Sequence, residues 1–584
     1  MTRSLLSLLL AAACLPAQLV REPADLIVRN AKVITLESPA NAQAIAMRGE
    51  RIVALGANAA MAEFTGPHTR VIDAKGALVI PGLIEGHGHF MGLGQFQRSL
   101  NLRDARSWRD ITSMVAAAAK EARPGQWIVG RGFHQSKWIA PPSPAVQGFP
   151  VHTDLSKAAP NNPVLLTHAS GHASMVNAKA MELAAITRDT KDPDGGEILR
   201  DAQGNPTGLL NERAQMLTRK VYAEYLAQRT AAQRLADARA EAASAFKECL
   251  RNGITSFQDA GSSFETIDLF RALRAENKLD VRLWVMLSES NDALNARGAL
   301  YRTIDSEKHR LTVRAIKRSL DGALGSRGAW LLAPYSDQPD RSGLNTAPIA
   351  DVRATAAYAL NNGFQLCVHA IGDRANRETL DIFEAAFKSH PDARDLRWRV
   401  EHAQHIHAAD IPRFGQLGVI ASMQGIHCPS DAPYVTARLG PQRAEEGAYV
   451  WRKLIDSGAL VTNGTDVPVE EIDPIASFHA TVTRKLKDGS TFYPAQRMTR
   501  LEALRSYTIN AAQSAFEEKD KGSLRRGKLA DLTILSKDIL TIPDDEIPTT
   551  EVLYTIVGGK VMYERGAPAA APAPAPRRRS PPRP

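Results

Sequence analysis

The chain has 584 residues, of which 44% are hydrophobic and 23% charged, and its mean hydropathy is −0.24. These values are typical of a globular protein, and the length allows more than one domain. The formal net charge is +9, but the last eight residues hold four arginines and no acid. No basic stripe interleaved with aromatic residues lies on a predicted element, which argues against nucleic acid as a partner.

The N-terminus has the pattern of an export signal. Arg3 precedes an apolar run over residues 5–13 that is too short to span a bilayer, and small residues follow it. We predict a signal peptide over residues 1–17 and an exported protein, periplasmic or extracellular. Cleavage before Cys14, with lipid anchoring at that residue, is the alternative. No later run of 18 apolar residues occurs, so we predict no further transmembrane segment.

Short β-strands are predicted near both ends of the chain, where β-branched residues alternate with polar ones between turns. They lie over residues 25–35, 42–56, 69–82, 528–538 and 551–566. Because the same alternating pattern occurs near both ends of the chain, we predict that residues 23–80 and 520–566 together form a composite β-sandwich domain.

Between these ends, apolar runs alternate with amphipathic helical patterns. The runs are VLLTH, GITSFQDAG, VRLWVML, VRAIKRSLDG, FQLCVHAIG, RWRVEHAQ, GVIASMQ and ALVTNGTD. This alternation favours parallel βαβ units, and about eight of them favour an α/β fold of the (β/α)8 TIM-barrel type over residues 81–519. An open doubly wound sheet is the alternative, but no GxGxxG motif follows a first strand.

Two further segments stand apart from the barrel pattern. Residues from about 107 to 213 are too many for one loop between a strand and a helix. We predict that they form an inserted subdomain, a lid over the mouth of the barrel where such loops lie. The segment 567–584 is rich in Pro, Ala and Arg and is predicted to be a disordered tail.

The sharpest local motif is PGLIEGHGHF over residues 81–90. Successive side chains on a strand alternate between its two faces, so His87 and His89 point the same way. Two imidazoles on one face at the end of a barrel strand can bind one metal ion. A pair of histidines that only satisfies hydrogen bonds is the alternative.

Three more polar residues end predicted strands. His369 ends FQLCVH, His402 ends RWRVEH, and Asp466 ends ALVTNGTD. The carboxyl ends of barrel strands meet at one mouth, which is the functional face of the fold. Imidazole and carboxylate ligands there suit Zn²⁺ or another divalent metal of the first transition row.

These motifs resemble those of the amidohydrolase superfamily. Within it, the chain is most similar to the YtcJ-like group, the amidohydrolase 3 family that includes N-substituted formamide deformylases. The matching segments are PGLIEGHGHF, IKRSLDGALGSRGAWL, CVHAIGDRAN, VEHAQHI, NGTDVPV, and TINAA followed by GSLRRGKLADLTIL. They run in order from about residue 25 to residue 566. The HxH motif is generic to the superfamily, whereas DGALGSR and HAIGDRAN are much more particular to this group.

The resemblance implies a role for each matching position. His87 and His89 would bind the more buried metal, and His369 and His402 the second. Lys317 would be a carboxylated lysine that bridges two ions. A free ammonium cannot ligate a cation, but a carbamate presents two anionic oxygens.

The number of metal ions stays open at this point, with two as the expectation. Some members of the superfamily manage with one metal and without the bridging lysine. In that case Lys317 would be a barrel lysine that pairs with Asp321, four residues further on.

Asp466 is expected to serve as a ligand and as the general base, since a carboxylate beside a metal-activated water can move its proton to the leaving group. We therefore predict hydrolysis of carbon–nitrogen bonds other than peptide bonds, in an amide or formamide. An esterase or a cyclic-amide hydrolase is the alternative on the same site. A non-catalytic exported protein that binds metal or ligand is the alternative from another class. A complete general base beside the ligands favours the enzyme.

Three residues near the predicted lid and mouth are candidates for substrate binding. They are His172 in THASGH, Glu197 in GGEIL and Arg327 in GSRGAW. Loop scaffolding, with the glycines setting the backbone, is the alternative for the last two. The expected partner is a small-molecule substrate. The sequence leaves the oligomeric state open, with a homodimer among the options.

Overall fold

The computed structural model describes residues 22–38, 40–392 and 395–567. The predicted signal peptide with Cys14, and the predicted tail from residue 568 onward, lie outside these ranges. Within them, every helix is too short or too polar to cross a lipid bilayer.

The described residues form strands and helices with the following bounds. The strands are β1 (Leu26–Arg29), β2 (Lys32–Ile34), β3 (Asn41–Ala42), β4 (Ala44–Arg48), β5 (Arg51–Gly56), β6 (Arg70–Asp73), β7 (Leu78–Pro81), β8 (Leu83–Gly88), β9 (Leu100–Asn101), β10 (Ile128–Phe133), β11 (Ala145–Val146), β12 (Phe149–Pro150), β13 (Val164–His168), β14 (Ala173–Val176), β15 (Gly196–Arg200), β16 (Pro206–Glu212), β17 (Ile254–Ser262), β18 (Arg282–Leu287), β19 (Thr303–Ile304), β20 (Leu311–Ser319), β21 (Gln365–Ala370), β22 (Arg399–His402), β23 (Ile420–Gln424), β24 (Val461–Gly464), β25 (Leu532–Leu535), β26 (Val552–Val557) and β27 (Lys560–Glu564). The helices are α1 (Phe90–Phe96), α2 (Trp108–Glu121), α3 (Thr153–Ala158), α4 (Ala178–Leu183), α5 (Met216–Ala227), α6 (Ala231–Arg251), α7 (Phe264–Ala275), α8 (Asn291–Ala293), α9 (Ala299–Tyr301), α10 (Ile349–Asn362), α11 (Asp373–Ser389), α12 (Ile411–Leu417), α13 (His427–Leu439), α14 (Pro441–Gly447), α15 (Trp451–Asp456), α16 (Pro474–Thr483), α17 (Arg500–Ser506) and α18 (Ile509–Ser514).

Strands from both ends of the chain form two sheets. One has the order β5-β4-β1-β6, and the other has the order β27-β26-β25-β7-β2-β3. In the second sheet β25 pairs antiparallel with β7, so that Leu532 lies opposite Pro81. Apolar side chains of both sheets, such as Val28 and Ile534, belong to one buried core. The alternation of apolar residues seen in the sequence places these side chains on the inner faces.

Eight parallel strands form a nearly closed barrel. Its order is β24-β23-β22-β21-β20-β18-β17-β8. At the seam between β8 and β24, the backbone N–H of Asp466 donates to the carbonyl oxygen of His87 at 2.8 Å. A Cβ on Gly86 would lie 2.3 Å from the carbonyl oxygen of Asn463, so only glycine allows this approach. The (β/α)8 barrel predicted from the sequence is thereby confirmed.

One of the eight runs predicted for the barrel lies elsewhere. VLLTH forms β13, which pairs with β10 and β14 outside the barrel sheet. The remaining barrel strand is β8, which carries His87, the first histidine of the HxH motif, and His89 follows it. A short apolar run fits any buried strand, and its periodicity does not identify the sheet that receives it.

The inserted residues have a sheet of their own. Its order is β15-β16-β14-β13-β10-β9, and two separate apolar cores support it. The sheet contacts the loop that follows Asp466, because the guanidinium groups of Arg103 and Arg131 donate to the carbonyl oxygen of Pro468 at 2.7 and 3.2 Å. The insertion therefore packs directly on the mouth of the barrel.

A buried ion pair connects the barrel to the C-terminal strands. Arg282 begins β18 and donates to both carboxylate oxygens of Asp531, at 2.7 and 3.0 Å, and neither side chain is more than 5% exposed. Asp531→Ala leaves the buried guanidinium without this partner. We therefore expect the free energy of unfolding to fall by about 3–5 kcal/mol, measured by urea denaturation.

An exposed ion pair provides the control for this variant. Arg70 and Glu564 lie 2.8 Å apart with side chains 51% and 36% exposed. Because such pairs contribute little, Glu564→Ala should cost less than about 1 kcal/mol. Equal losses in the two variants would contradict the stabilising role of the buried pair.

Candidate metal centre and active site

The six residues predicted to hold metal lie at the carboxyl ends of barrel strands. His87 is the last residue but one of β8, and His89 directly follows that strand. Lys317 lies in β20, His369 lies in β21, His402 ends β22, and Asp466 follows β24. The ring centroids of His87 and His402 are 4.7 Å apart, and those of His369 and His402 are 4.4 Å apart. The barrel therefore brings these side chains together from five strands.

The Asp466 carboxylate lies among three of the imidazoles. Its Oδ1 is 3.6 Å from His87 Nε2 and 3.2 Å from His89 Nε2, and its Oδ2 is 4.0 Å from His402 Nδ1. Burial raises the pKa of the Asp466 carboxyl, but the close approach of His89 and the electrostatic interactions with His87 and His402 lower it well below its usual range. Asp466 is therefore ionised at neutral pH.

A buried carboxylate behind His87 orients its ring. Glu401 Oε2 accepts from Nδ1 of His87 and from the guanidinium of Arg399, the latter at 3.0 Å. Burial raises the pKa of Glu401, but the charge of Arg399 and the electrostatic interaction and hydrogen bond with His87 lower it well below its usual range. Because Nδ1 of His87 donates to this carboxylate, Nε2 keeps its lone pair on the side of Asp466.

The buried imidazoles are neutral at pH 7. Burial, and next the charge of Lys317, lowers the pKa of His87 to about 4. Burial is also the main cause that lowers the pKa values of His369 and His402 well below their usual range. A neutral imidazole has the lone pair that a metal ligand requires.

Three buried atoms in this cluster are left without partners. His87 Nε2, His369 Nε2 and Asp466 Oδ1 have no hydrogen-bond partner among the residues that the structure describes. Such atoms are rare in folded proteins, and each calls for an explanation. Imidazole nitrogens and carboxylate oxygens that converge on one space suit zinc or a similar divalent ion. The residues present therefore fit a metal ion.

Lys317 reaches the same cluster. Burial lowers the pKa of its ammonium, and the carboxylates of Glu401 and Asp466 raise it, with a net lowering. Within the described ranges, its side chain makes no hydrogen bond and no ion pair within 4.0 Å. The amine of Lys317 is therefore neutral more often than that of an exposed lysine, and it lies next to the imidazoles.

Among the described residues Asp321 forms no ion pair with Lys317, so the pairing considered for that lysine is wrong, and its bridging role stays a prediction. Its carboxylate accepts from three backbone N–H groups that close the loops after β20 and β21. They belong to Trp330, Ile371 and Gly372, at 2.9, 3.0 and 2.7 Å. Burial raises the pKa of Asp321 to about 7, although these three donors lower it. The spacing of four residues suggested that the Asp321 carboxylate binds the Lys317 ammonium, but the carboxylate binds these backbone N–H groups.

A cavity of about 480 Å³, part of it open to solvent, reaches Asp466 and His402. The insertion supplies part of its wall, and barrel loops supply the rest. The lining residues are His134, Lys137, Ala169, Ser170, His172, Ala323, Leu324, Ile371, His402, Gln404, His427, Ser430, Asp431, Tyr434, Asp466, Val469 and Glu470. Most of these lining residues have polar side chains.

His172 extends from the insertion into this cavity. Its Nδ1 lies 2.8 Å from Glu212 Oε2, and its ring centroid is 5.1 Å from that of His369. Burial lowers the pKa of His172, but the Glu212 carboxylate raises it above its usual value overall. Added Cβ atoms on Gly322 and Gly328 would lie 2.0 and 2.2 Å from Glu212 Oε1. These two glycines of DGALGSRG therefore make room for the carboxylate that orients His172.

The other two predicted substrate residues lie in ion pairs. Glu197 accepts from Arg341 at 2.9 and 2.5 Å, and Arg327 donates to Asp337 at 2.9 Å. Neither Glu197 nor Arg327 is among the described residues that line the cavity. Their contact with substrate stays a prediction, since the structure brings only His172 of the three to the site.

Sequence reasoning missed two residues of this site. Glu401 directly precedes His402. The signal that could have identified it is a pair of charged residues, Arg399 and Glu401, inside a predicted buried strand. His427 follows β23 by three residues and lies in the cavity wall. A histidine just after a barrel strand was the signal there, although such a position is common for solvated loop residues.

Comparisons with known proteins give matches over most of the chain. The model of the amidohydrolase family named Amidohydro_3 matches residues 70–563. Protein LONG AFTER FAR-RED 3 of Arabidopsis thaliana is 33% identical over 558 residues, 92% of either chain. N-substituted formamide deformylase of Arthrobacter pascens is 28% identical, over 93% of this chain and 98% of its own. The crystal structure of an uncharacterized metal-dependent hydrolase from Pyrococcus furiosus is 28% identical with a TM-score of 0.68, over 88% of this chain and 100% of that one.

The family match covers the barrel, the insertion and, of the strands at the two chain ends, β6, β7, β25, β26 and most of β27. The relative from Arthrobacter aligns along nearly its whole length. The resemblance read from the HxH, DGALGSR and HAIGDRAN motifs is thereby confirmed. This chain belongs to the amidohydrolase family.

Proposed function

We propose that the protein is a metal-dependent hydrolase that cleaves carbon–nitrogen bonds other than peptide bonds, in amides or formamides. The observation that carries this proposal is the set of buried, unpartnered nitrogen and oxygen atoms around the ionised Asp466. A relative that aligns along 93% of the chain is named an N-substituted formamide deformylase, which supports the choice of bond.

The ligand set divides between two ions in this proposal. His87, His89 and Asp466 would hold one divalent ion, and His369 with His402 would hold the other. Lys317 would bridge them as a carbamate. A divalent ion at such a site supplies Lewis-acid polarisation of a carbonyl group and lowers the pKa of a bound water.

The chain's own residues would move the proton and hold the substrate. The Asp466 carboxylate would accept a proton from the attacking water and pass it to the departing nitrogen. Glu401 holds the ring of His87 in place, and Glu212 holds the ring of His172 toward the cavity. His172 would then hydrogen-bond the substrate.

The insertion would act as a lid, and the two end sheets would act as one β-sandwich domain. His134, Lys137 and His172 of the insertion line the cavity beside Asp466. The Lys137 ammonium of the insertion donates at 2.7 Å to Ser430 Oγ, and both residues line the cavity. Such a cover would exclude bulk water during the reaction.

Metal analysis followed by a matched substrate panel tests the proposed function. Protein purified without chelators is expected to hold at least one equivalent of zinc or another divalent metal. It should hydrolyse N-formyl or N-acyl amines faster than the esters of the same acids, and a chelator should remove the activity reversibly. Less than half an equivalent of metal would contradict the metal site. Metal-loaded protein that binds the amides without turnover would favour a binding protein, and faster ester cleavage would favour an esterase.

A further inference from the structure

His427 faces the proposed active site, and the proposed function gives it no role. It begins α13, is 5% exposed, and lines the cavity beside His402 and Asp466. One of its ring nitrogens lies within 4.8 Å of a potential ligand atom on each of them. Its Nε2 is buried and has no hydrogen-bond partner in the described part of the chain. A buried polar atom in a cavity wall is expected to find its partner in a bound molecule.

Gln404 determines which nitrogen of His427 carries the proton. The side-chain amide nitrogen of Gln404 lies 2.9 Å from Nδ1 of His427. In this orientation of the amide the nitrogen donates, and Nδ1 accepts. An imidazole with one proton in this arrangement carries it on Nε2. His427 therefore presents an N–H donor to the cavity and not a lone pair.

Two histidines of the proposed ligand set have the opposite arrangement. Nδ1 of His87 faces a carboxylate oxygen of Glu401, and Nδ1 of His402 lies 2.8 Å from the amide oxygen of Gln424. The amide of Gln424 is held in this orientation because its nitrogen donates to the carbonyl oxygen of Ser422 at 3.2 Å. In both histidines Nδ1 carries the proton, and Nε2 keeps the lone pair that metal binding requires.

We propose that His427 donates a hydrogen bond to the carbonyl oxygen of the substrate and is not a metal ligand, and that Gln404 is the positioning residue that sets its tautomer. The proposal rests on the proposed function, because an amide or formamide supplies the oxygen that accepts this bond. A donor at this position stabilises the negative charge that develops on the oxygen as a nucleophile adds to the carbonyl carbon.

The tautomer is measured by nitrogen NMR of protein with isotopically labelled histidine, and this measurement needs no substrate. The spectrum of His427→Asn identifies the resonances of His427. In zinc-loaded protein we expect Nε2 of His427 to carry the proton and Nδ1 to lack it. A proton on Nδ1, or a direct zinc bond to Nε2, would overturn the proposal.

Kinetics and zinc content test the role of the donor. His427→Leu is expected to lower kcat/KM for N-propylformamide by about 100-fold at unchanged zinc content. His427→Asn keeps an N–H donor and should recover part of this loss. His407→Leu, the same substitution at an exposed histidine, should match the parent. A fall in zinc content in both His427 variants, or an unchanged kcat/KM, would overturn the proposal. A parent protein without turnover would contradict the proposed function, and the tautomer and zinc content would still decide the assignment of His427.

Discussion

Asp466→Asn is expected to lower kcat by about 10²-fold or more while the metal content and the fold stay as in the parent protein. Asparagine keeps the size of the side chain and one oxygen ligand, but it cannot accept a proton. The substitution should leave the backbone unchanged, although Asp466 has a positive φ of 56°. Asparagine tolerates this left-handed conformation about as well as aspartate, whereas most other residues would strain the backbone.

The measurement is kcat on the best amide substrate, with elemental analysis of the same preparation. Asp456→Asn provides the control, since that side chain is 63% exposed and lies away from the cavity-lining residues. Near-normal kcat in Asp466→Asn at full metal content would show that the carboxylate is only a ligand. A loss of metal in proportion to the loss of activity would show that its charge is needed for binding.

The barrel could be predicted because its strands are strongly apolar and alternate with helices. Seven of the eight runs named from the sequence are barrel strands, whereas VLLTH lies in the sheet of the insertion. Local pattern identifies a buried strand but does not identify its partners, which depend on contacts between distant parts of the chain. The close approach of Gly86 to Asn463 at the seam is one such long-range contact.

The candidate ligands could be predicted because each lies at the end of a strand, where the barrel geometry fixes its direction. The residues that orient them could not. Glu401 acts on His87 from another strand, and Glu212 reaches His172 through space left by Gly322 and Gly328. The spacing of four residues between Lys317 and Asp321 suggested an ion pair, but three backbone donors occupy that carboxylate. Such partners depend on tertiary packing.

Lys317→Ala is expected to lower the metal content by about one ion per chain and to abolish turnover. The side chain is next to the imidazole cluster, and burial lowers the pKa of its amine. A neutral amine can add through its nitrogen lone pair to the carbon of CO₂, and the N–H proton then leaves to solvent. The resulting carbamate has the two anionic oxygens that a bridge between two ions requires.

Metal content and turnover are measured for Lys317→Ala. Two further experiments test whether a loss is due to the bridging role of this lysine. Lys120→Ala removes an exposed lysine of α2 and should leave both quantities unchanged. Added formate can place a small carboxylate in the space that the alanine leaves, so part of the second metal ion and part of the turnover should return. A structural lysine would give no such rescue. Full metal content together with full turnover in Lys317→Ala would show that this lysine does not bridge two ions and that the site works with the histidines and Asp466 alone.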